Sequence, residues 1–117
     1  MNSWNKQAVL DLGPMTEAFG CIDDDAKATL DFFLTSTRPL LTTIQMKLLA
    51  GDLPGAAAAA HSAKGAANVT GAFRLGGLCA EVYVQLRQGD VATAQSLTAR
   101  LPDAFGEVQA AIHQLGG

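Results

Sequence analysis

Hydrophobic residues recur every three or four positions along most of this chain, which is the pattern of amphipathic α-helices. The first strong stripe follows Asp23-Asp24-Asp25, acids that can accept the free amides of a first helical turn and favour its positive end. The stripe consists of Ala26, Leu30, Phe33, Leu34, Thr37, Leu41, Ile44 and Leu48. Pro39 interrupts it, and because proline donates no backbone hydrogen bond, we expect a kink there.

Glycine residues followed by aspartate mark the ends of the predicted helices. Gly51-Asp52 ends the first helix and caps the second, which we predict from about Leu53 to Thr70. The buried stripe of the second helix is made mostly of small residues and consists of Leu53, Ala56, Ala60, Ala63, Ala67 and Thr70. Gly71 is the next break, and the third helix carries Leu75, Leu78, Cys79, Val82 and Leu86.

The third helix is predicted to close at Gly89, where Asp90 caps the fourth. The stripe of this last helix is Ala94, Leu97, Leu101, Phe105, Val108, Ile112 and Leu115, and Pro102 is predicted to bend or restart it. The N-terminal piece, broken at Gly13-Pro14, predicts short helical turns that cover one end of the bundle with Trp4, Val9, Leu10, Leu12, Met15 and Phe19.

Connections of about two residues join neighbouring antiparallel helices. The predicted fold is therefore all-α, an antiparallel up-down-up-down four-helix bundle with a short N-terminal helical segment, in one domain over residues 1–117. A chain of 117 residues with 49% hydrophobic residues is long enough to bury one such core and too short for two domains.

Composition excludes several classes of partner. The net charge is -3 and the eight Lys and Arg residues are scattered, so no nucleic acid is expected as a partner. The longest apolar stretch falls short of the roughly 20 residues of a membrane span, and the N-terminus has no leader pattern, so we expect a cytoplasmic protein without a membrane segment. Cys21 and Cys79 lie among apolar neighbours and are expected to be free core thiols.

Most enzyme classes lack their parts in this sequence, since we find no metal-ligand spacing, nucleophile elbow, glycine-rich loop or CxxC pair. His61 is the exception, because it lies in the middle of the second helix and outside the buried stripe. Residues three, four and seven positions away share its face. These residues are Ala57, Ala58, Lys64, Gly65 and Asn68.

The neighbours of His61 favour access to its ring, because Ala57 and Ala58 present only methyl groups beside it. A glycine in a helix interior costs about 1 kcal/mol relative to alanine, so Gly65 indicates a need for open space. Lys64 places a positive charge within reach of an anion attached to the imidazole, and a neutral imidazole is a nucleophile. A surface histidine on a solvated face, with Gly65 as a packing glycine, explains these residues equally well.

The segment His61-Ser62-Ala63-Lys64-Gly65-Ala66-Ala67, followed by Gly71-Ala72, Leu75 and Leu78-Cys79, resembles the signature of histidine-containing phosphotransfer (HPt) domains of multistep phosphorelays. The resemblance covers most of the chain, including the glycine–aspartate turns. It implies that His61 receives a phosphoryl group from the aspartate of one receiver domain and passes it to the aspartate of another.

Two positions depart from the family's pattern. Ala63 stands where the family usually has leucine, so a neighbouring helix must fill the core there. Tyr83 stands where the family often has a glutamate or glutamine that contacts the imidazole, and counting from Gly71 places Tyr83 near the level of His61. Its hydroxyl is a candidate partner for a ring nitrogen, and a core tyrosine with a solvated hydroxyl is the alternative.

Counting from Gly51 places Arg38 and Thr42 near the level of His61, so we assign Arg38 to the docking surface. The resemblance implies a phosphocarrier rather than an enzyme. The expected partners are the receiver domains of a hybrid histidine kinase and of a response regulator. This chain is expected to bind no metal or other cofactor, because the partner receiver domain supplies Mg²⁺. We expect a monomer and assign His113 no chemistry.

Two other functions remain open. One is a helical interaction module that binds a partner through its alanine-rich face without any phosphate. The other is a kinase-like dimerisation domain, although that would need paired chains and an attached ATP-binding domain.

Overall fold

The computed structural model describes residues 4–116, in which the regular structure is helical and no strand occurs. A 3-10 turn at Trp4–Lys6 precedes six α-helices in these residues: α1 Gly13–Phe19, α2 Asp24–Leu49, α3 Leu53–Thr70, α4 Phe73–Gln88, α5 Val91–Thr98 and α6 Leu101–Gly116. The all-α class is confirmed. The predicted single domain spans residues 1–117, of which residues 1–3 and 117 lie outside the described part.

Helix α2 begins where the acidic run predicted it. The Asp23 side chain accepts a hydrogen bond from the Ala26 amide at 2.9 Å, which satisfies one of the free donors of the first turn. The helix then continues for 26 residues and includes Pro39, which is exposed. The predicted stripe is buried except for Leu41, which is half-buried. The kink at Pro39 stays a prediction.

Helix α3 has the predicted bounds because both of its ends are closed by local chemistry. Gly51 adopts the left-handed conformation with φ 76°, and the Asp52 side chain accepts from the Gly55 amide at 3.0 Å. At the other end Gly71, with φ 99°, closes the last turn. The small-residue seam faces the interior, where Ala56, Ala60, Ala63 and Ala67 have no exposed surface. Leu53, predicted within that stripe, is only half-buried.

The predicted fourth helix is two helices. Asp90 caps α5 through the Thr93 amide, as predicted, and α5 ends at Thr98. The chain restarts at Leu101, with Pro102 in the first turn of α6, where a missing amide donor costs nothing. The restart predicted at Pro102 is thus confirmed.

The N-terminal segment covers the turn between α3 and α4. The Asp11 amide donates to the Gly71 carbonyl at 2.8 Å, and the Arg74 amide donates to the Ala8 carbonyl at 2.9 Å. Trp4 lies against Gly77 of α4, where an added Cβ would come within 3.0 Å of the Trp4 Cβ. Gly13-Pro14 marks the start of α1, as expected of proline at the first helical positions.

Helix α3 is packed between α2 and α4, and α6 contacts both of these neighbours. One hydrophobic cluster joins them and includes the N-terminal Trp4 and Met15. No helix within residues 4–116 is long and apolar enough to cross a membrane.

One cysteine prediction is wrong. Both thiols are free, but only Cys79 is a core residue, whereas Cys21 is exposed in the connection between α1 and α2. Burial raises the pKa of the Cys79 thiol to about 12. The apolar neighbours of Cys21 in sequence are Phe19, at the end of α1, and Ile22, in the connection, and they leave the thiol exposed to solvent.

The cap of α3 gives a testable prediction about the helix that carries His61. The hydrogen bond from the Gly55 amide holds the pKa of the Asp52 carboxyl below its ordinary value, and Lys47 lies 3.4 Å away. A depressed pKa means that the carboxylate stabilises the fold at neutral pH and that this stabilisation is lost as the pH falls through the folded-state pKa. Asp52→Ala should therefore lower the thermal midpoint at pH 7 and lower it less under acid conditions.

Asp52→Asn is the matched control, because asparagine is an equally good N-cap but carries no charge. It should keep the part of the stabilisation that the cap hydrogen bond contributes and lose the part that depends on charge, so its thermal midpoint by circular dichroism should lie between those of wild type and Asp52→Ala. An equal loss in both variants would show that the charge of Asp52, and not its cap hydrogen bond, holds the start of α3.

Candidate functional site

His61 is exposed on the side of α3 that faces away from the alanine seam. Its chain neighbours on the inner side, Ala60 and Ala63, are fully buried. The helical period therefore turns the imidazole outward, since a residue one position after a buried one is rotated by about 100°. The ring has the access to solvent that the sequence pattern predicts.

Tyr83 of α4 lies directly beside His61. The two ring centroids are 5.3 Å apart and the ring planes are tilted by 44°, which is the geometry of an aromatic pair in contact. The Tyr83 hydroxyl is directed elsewhere, since it accepts a long hydrogen bond of 3.5 Å from Nη1 of Arg87. The counting from Gly71 thus placed Tyr83 correctly, but the contact is between rings rather than between hydroxyl and ring nitrogen.

Arg87 is a residue of this site that the sequence analysis missed. Its guanidinium carbon lies 5.9 Å from the centroid of the Tyr83 ring. Because Arg87 follows Tyr83 by one helical turn, the counting that placed Tyr83 beside His61 would also have placed Arg87 nearby. The site therefore holds a second cation besides Lys64.

A cavity of about 430 Å³ opens beside the imidazole, between the start of α3 and the end of α4. We call it the α3–α4 groove. Its lining is mostly apolar and consists of Leu53, Pro54, Ala57, Ala58, His61, Tyr83, Leu86 and Arg87.

The two alanines that precede His61 differ in exposure. Ala58 is exposed, as predicted, but Ala57 is only 6% exposed and is therefore not the open methyl group that we expected. Position 57 lies on the side of α3 that faces α4, where it shares the groove with Tyr83 and Leu86. Its methyl group forms part of the groove wall.

Lys64 and Gly65 remain open on the face of His61. Lys64 is half-buried, and neither of the ion pairs found in residues 4–116 includes it. A Cβ added at Gly65 would meet no atom within 4 Å. Gly65 therefore does not serve a packing contact within the chain, which removes the packing explanation for its presence.

Asn68 is exposed, but its side chain packs against Gly76 of α4. A Cβ at Gly76 would collide with the Asn68 side-chain oxygen, so Gly76 is a glycine that close packing requires. The sequence analysis did not predict this packing role of Gly76 and assigned a role only to Gly65. Asn68 lies two turns from His61 and next to a different cavity, lined also by Trp4 and Glu81.

The side chain of Arg38 contacts α6 rather than the α3–α4 groove. Its guanidinium carbon lies 4.8 Å from the centroid of the Phe105 ring, and its Nη2 donates to the Gln109 side chain at 3.3 Å. Both partners belong to α6, and Arg38 does not line the α3–α4 groove. The aromatic face of Phe105 attracts the cation, and the place of Arg38 on the docking surface stays a prediction.

Comparison with protein-family models places the chain. The model described as Hpt domain matches residues 28–117, well over half of the chain and all of α3 to α6. The chain therefore belongs to the Hpt family, whose members carry out histidine phosphotransfer in phosphorelays and interact with receiver domains. No curated protein matched the chain. A search of solved structures also gave no match.

The described residues offer no ready metal site. No group of three or more His, Cys, Asp and Glu residues within 4–116 is placed to hold an ion. His113, exposed in the last turn of α6, is the other histidine of the chain and lies near Arg38 rather than near His61.

The ring contact between Tyr83 and His61 predicts a difference between two variants. Tyr83→Phe keeps an aromatic ring at 5.3 Å from the imidazole, whereas Tyr83→Leu removes it. The His61 ring protons should therefore keep their NMR chemical shifts in Tyr83→Phe and lose the shielding or deshielding of a neighbouring ring in Tyr83→Leu.

His113 serves as the internal control, because its ring protons should not move in either variant. A large shift of the His61 signals in Tyr83→Phe would show that the hydroxyl matters, contrary to the ring contact described above.

Proposed function

We propose that His61 is the phospho-accepting residue of a phosphorelay intermediate. It accepts a phosphoryl group from the receiver aspartate of a hybrid histidine kinase and passes it to the receiver aspartate of a response regulator. The observation that carries this proposal is the exposed His61 ring in a chain of the Hpt family, followed one turn later by an open Gly65 and by Lys64, which joins no ion pair within residues 4–116.

The transfer needs only one nucleophilic atom from this chain. An unprotonated imidazole nitrogen attacks the phosphorus of the aspartyl phosphate, so a nitrogen–phosphorus bond forms while the bond to the aspartate oxygen breaks. The aspartate leaves as a carboxylate, and the proton on the other ring nitrogen stays in place. The reverse step loads the second receiver. The receiver's Mg²⁺ would neutralise the transferred charge.

Lys64 and Arg87 supply charge on both sides of the ring. A lysine three residues after His61 lies within one helical turn of it, so its ammonium can reach a phosphoryl oxygen on the ring. Arg87 can do so from α4 if its guanidinium leaves the Tyr83 hydroxyl, because a bond of 3.5 Å is weak. These two cations would stabilise the phosphorylated state.

The bundle topology belongs to the same proposal. We infer that α2, α3, α4 and the α5–α6 segment run up-down-up-down. The connections 50–52, 71–72 and 89–90 are short, and a short connection favours an antiparallel arrangement of the two helices it joins. We also propose that the domain acts in the cytoplasm as a monomer, and that it carries the phosphoryl group without catalytic activity of its own.

A transfer assay tests the proposal. Purified receiver domains are phosphorylated with acetyl phosphate and mixed with the chain. We expect at least one of a broad panel to deliver acid-labile, base-stable phosphate to the wild-type protein and none to His61→Gln. His113→Gln should accept phosphate at the wild-type rate.

The absence of transfer from every receiver would contradict the proposal. It would favour the alternative of a helical interaction module that works without phosphate. The open face of Ala58 and Gly65 would then bind a partner directly.

Gly65 and Gly106 form a matched pair for the role of open space. Both lie inside helices, and a Cβ at either would meet no atom within 4 Å. Replacing either glycine by alanine should raise the free energy of unfolding by about 1 kcal/mol, because alanine is the better helix former. Gly65→Ala should also slow transfer from a receiver, whereas Gly106→Ala should not.

The two readouts are urea unfolding and the initial rate of transfer. If Gly65→Ala were more stable and transferred as fast as wild type, the bare position would have no role in the approach of the partner.

A further inference from the structure

We propose that the α3–α4 groove receives an apolar side chain of the receiver domain, so that the receiver lies over the side of His61 formed by the start of α3 and the end of α4. This inference rests on the proposed function and adds the orientation of the bound partner. Four observations on the described residues support it.

The groove is continuous with the reacting group. His61 is itself one of the residues that line it, and Ala58, one turn before His61, is exposed at the same opening. Transfer requires the phosphorus to reach within about 3.5 Å of the attacking nitrogen. A folded domain that brings its aspartate so close must also cover the surface directly beside the ring.

The lining of the groove suits an apolar side chain. Leu53, Pro54 and Leu86 contribute aliphatic surface, and the alanines at 57 and 58 leave space between the helices. The cavity of about 430 Å³ falls within the range of pockets that bury a ligand group, about 300–1,000 Å³. Burial of an apolar group there would favour binding, because it removes apolar surface from water.

The charge at the groove suits an acidic partner. Arg87 lies at the groove, and a receiver presents the acidic side chains that hold its Mg²⁺. The other end has a more polar cavity that includes Glu81. Glu81 accepts a hydrogen bond from Gln85 at 3.1 Å and joins no ion pair in residues 4–116, so its carboxylate would repel an acidic partner.

Charge also disfavours a second copy of this chain as the occupant. A symmetric dimer through the groove would place each copy's surface against the same surface of the other. Arg87 and Lys64 of both copies would then lie in one shared interface, where the repulsion of like charges opposes the contact.

The test fills the groove without touching the reacting ring. Ala58→Leu adds an apolar side chain at an exposed helical position, and Ala110→Leu makes the same change at an exposed position of α6, far along the chain from His61. Phosphoramidate, a small phosphoryl donor, reports on the imidazole alone. The receiver that transfers fastest to wild type reports on docking.

We expect Ala58→Leu to slow transfer from the receiver at least tenfold more than it slows the reaction of phosphoramidate with His61. Ala110→Leu should match wild type in both assays. A wild-type transfer rate in Ala58→Leu would overturn the proposal, as would an equal slowing by phosphoramidate, because the added leucine would then only shield the ring.

Amide NMR shifts on binding of the same receiver provide a second measurement with the unmodified chain. The proposal predicts the largest changes at Leu53 and Leu86 and smaller ones at Gly77 and Ala80. The opposite ranking would overturn it. A dimer of the wild-type chain that Ala58→Leu dissociates in sedimentation would overturn it as well, in favour of a second copy.

The two proposals fail in different ways. If no receiver phosphorylates the wild-type chain, the proposed function fails. If receivers phosphorylate wild type and Ala58→Leu equally well but not His61→Gln, the function stands and only the docking orientation fails.

Discussion

The fully buried alanine seam of α3 is the constraint on which the rest of this molecule depends. Ala56, Ala60, Ala63 and Ala67 have no exposed surface, and α3 is packed between α2 and α4. Because only methyl groups lie at these contacts, the backbones of α2 and α4 can approach the backbone of α3 closely. The opposite face of α3 carries the His61 imidazole together with Lys64 and Gly65.

The same close approach brings α4 to His61. Tyr83 reaches the imidazole with its ring, and Arg87 comes with it one turn later. The site is thus shared by two helices, although the sequence motif lies on one. Close packing also explains Gly76, which leaves room for the Asn68 side chain, in contrast to Gly65, which faces open space. The sequence does not distinguish the two glycines, although Gly76 permits close packing and Gly65 leaves the face of His61 open.

Much of this arrangement could be predicted because it is encoded locally. Asp23, Asp52 and Asp90 cap the helices that they precede, and the hydrophobic period predicted which faces are buried. What failed depends on contacts between distant segments. Ala57 is covered on the side that faces α4, and Cys21 lies in an exposed connection. Helical counting gives the level of a residue along its axis, but not which neighbour its side chain selects.

The chain has two histidines, and the proposed function places the phosphoryl group on only one of them. The most direct test is fragment mass spectrometry of the chain after reaction with a phosphorylated receiver domain, at a pH that preserves phosphohistidine. We predict one added phosphoryl group, on His61, and an unmodified His113. A phosphoryl group on His113 or on any other residue would contradict it.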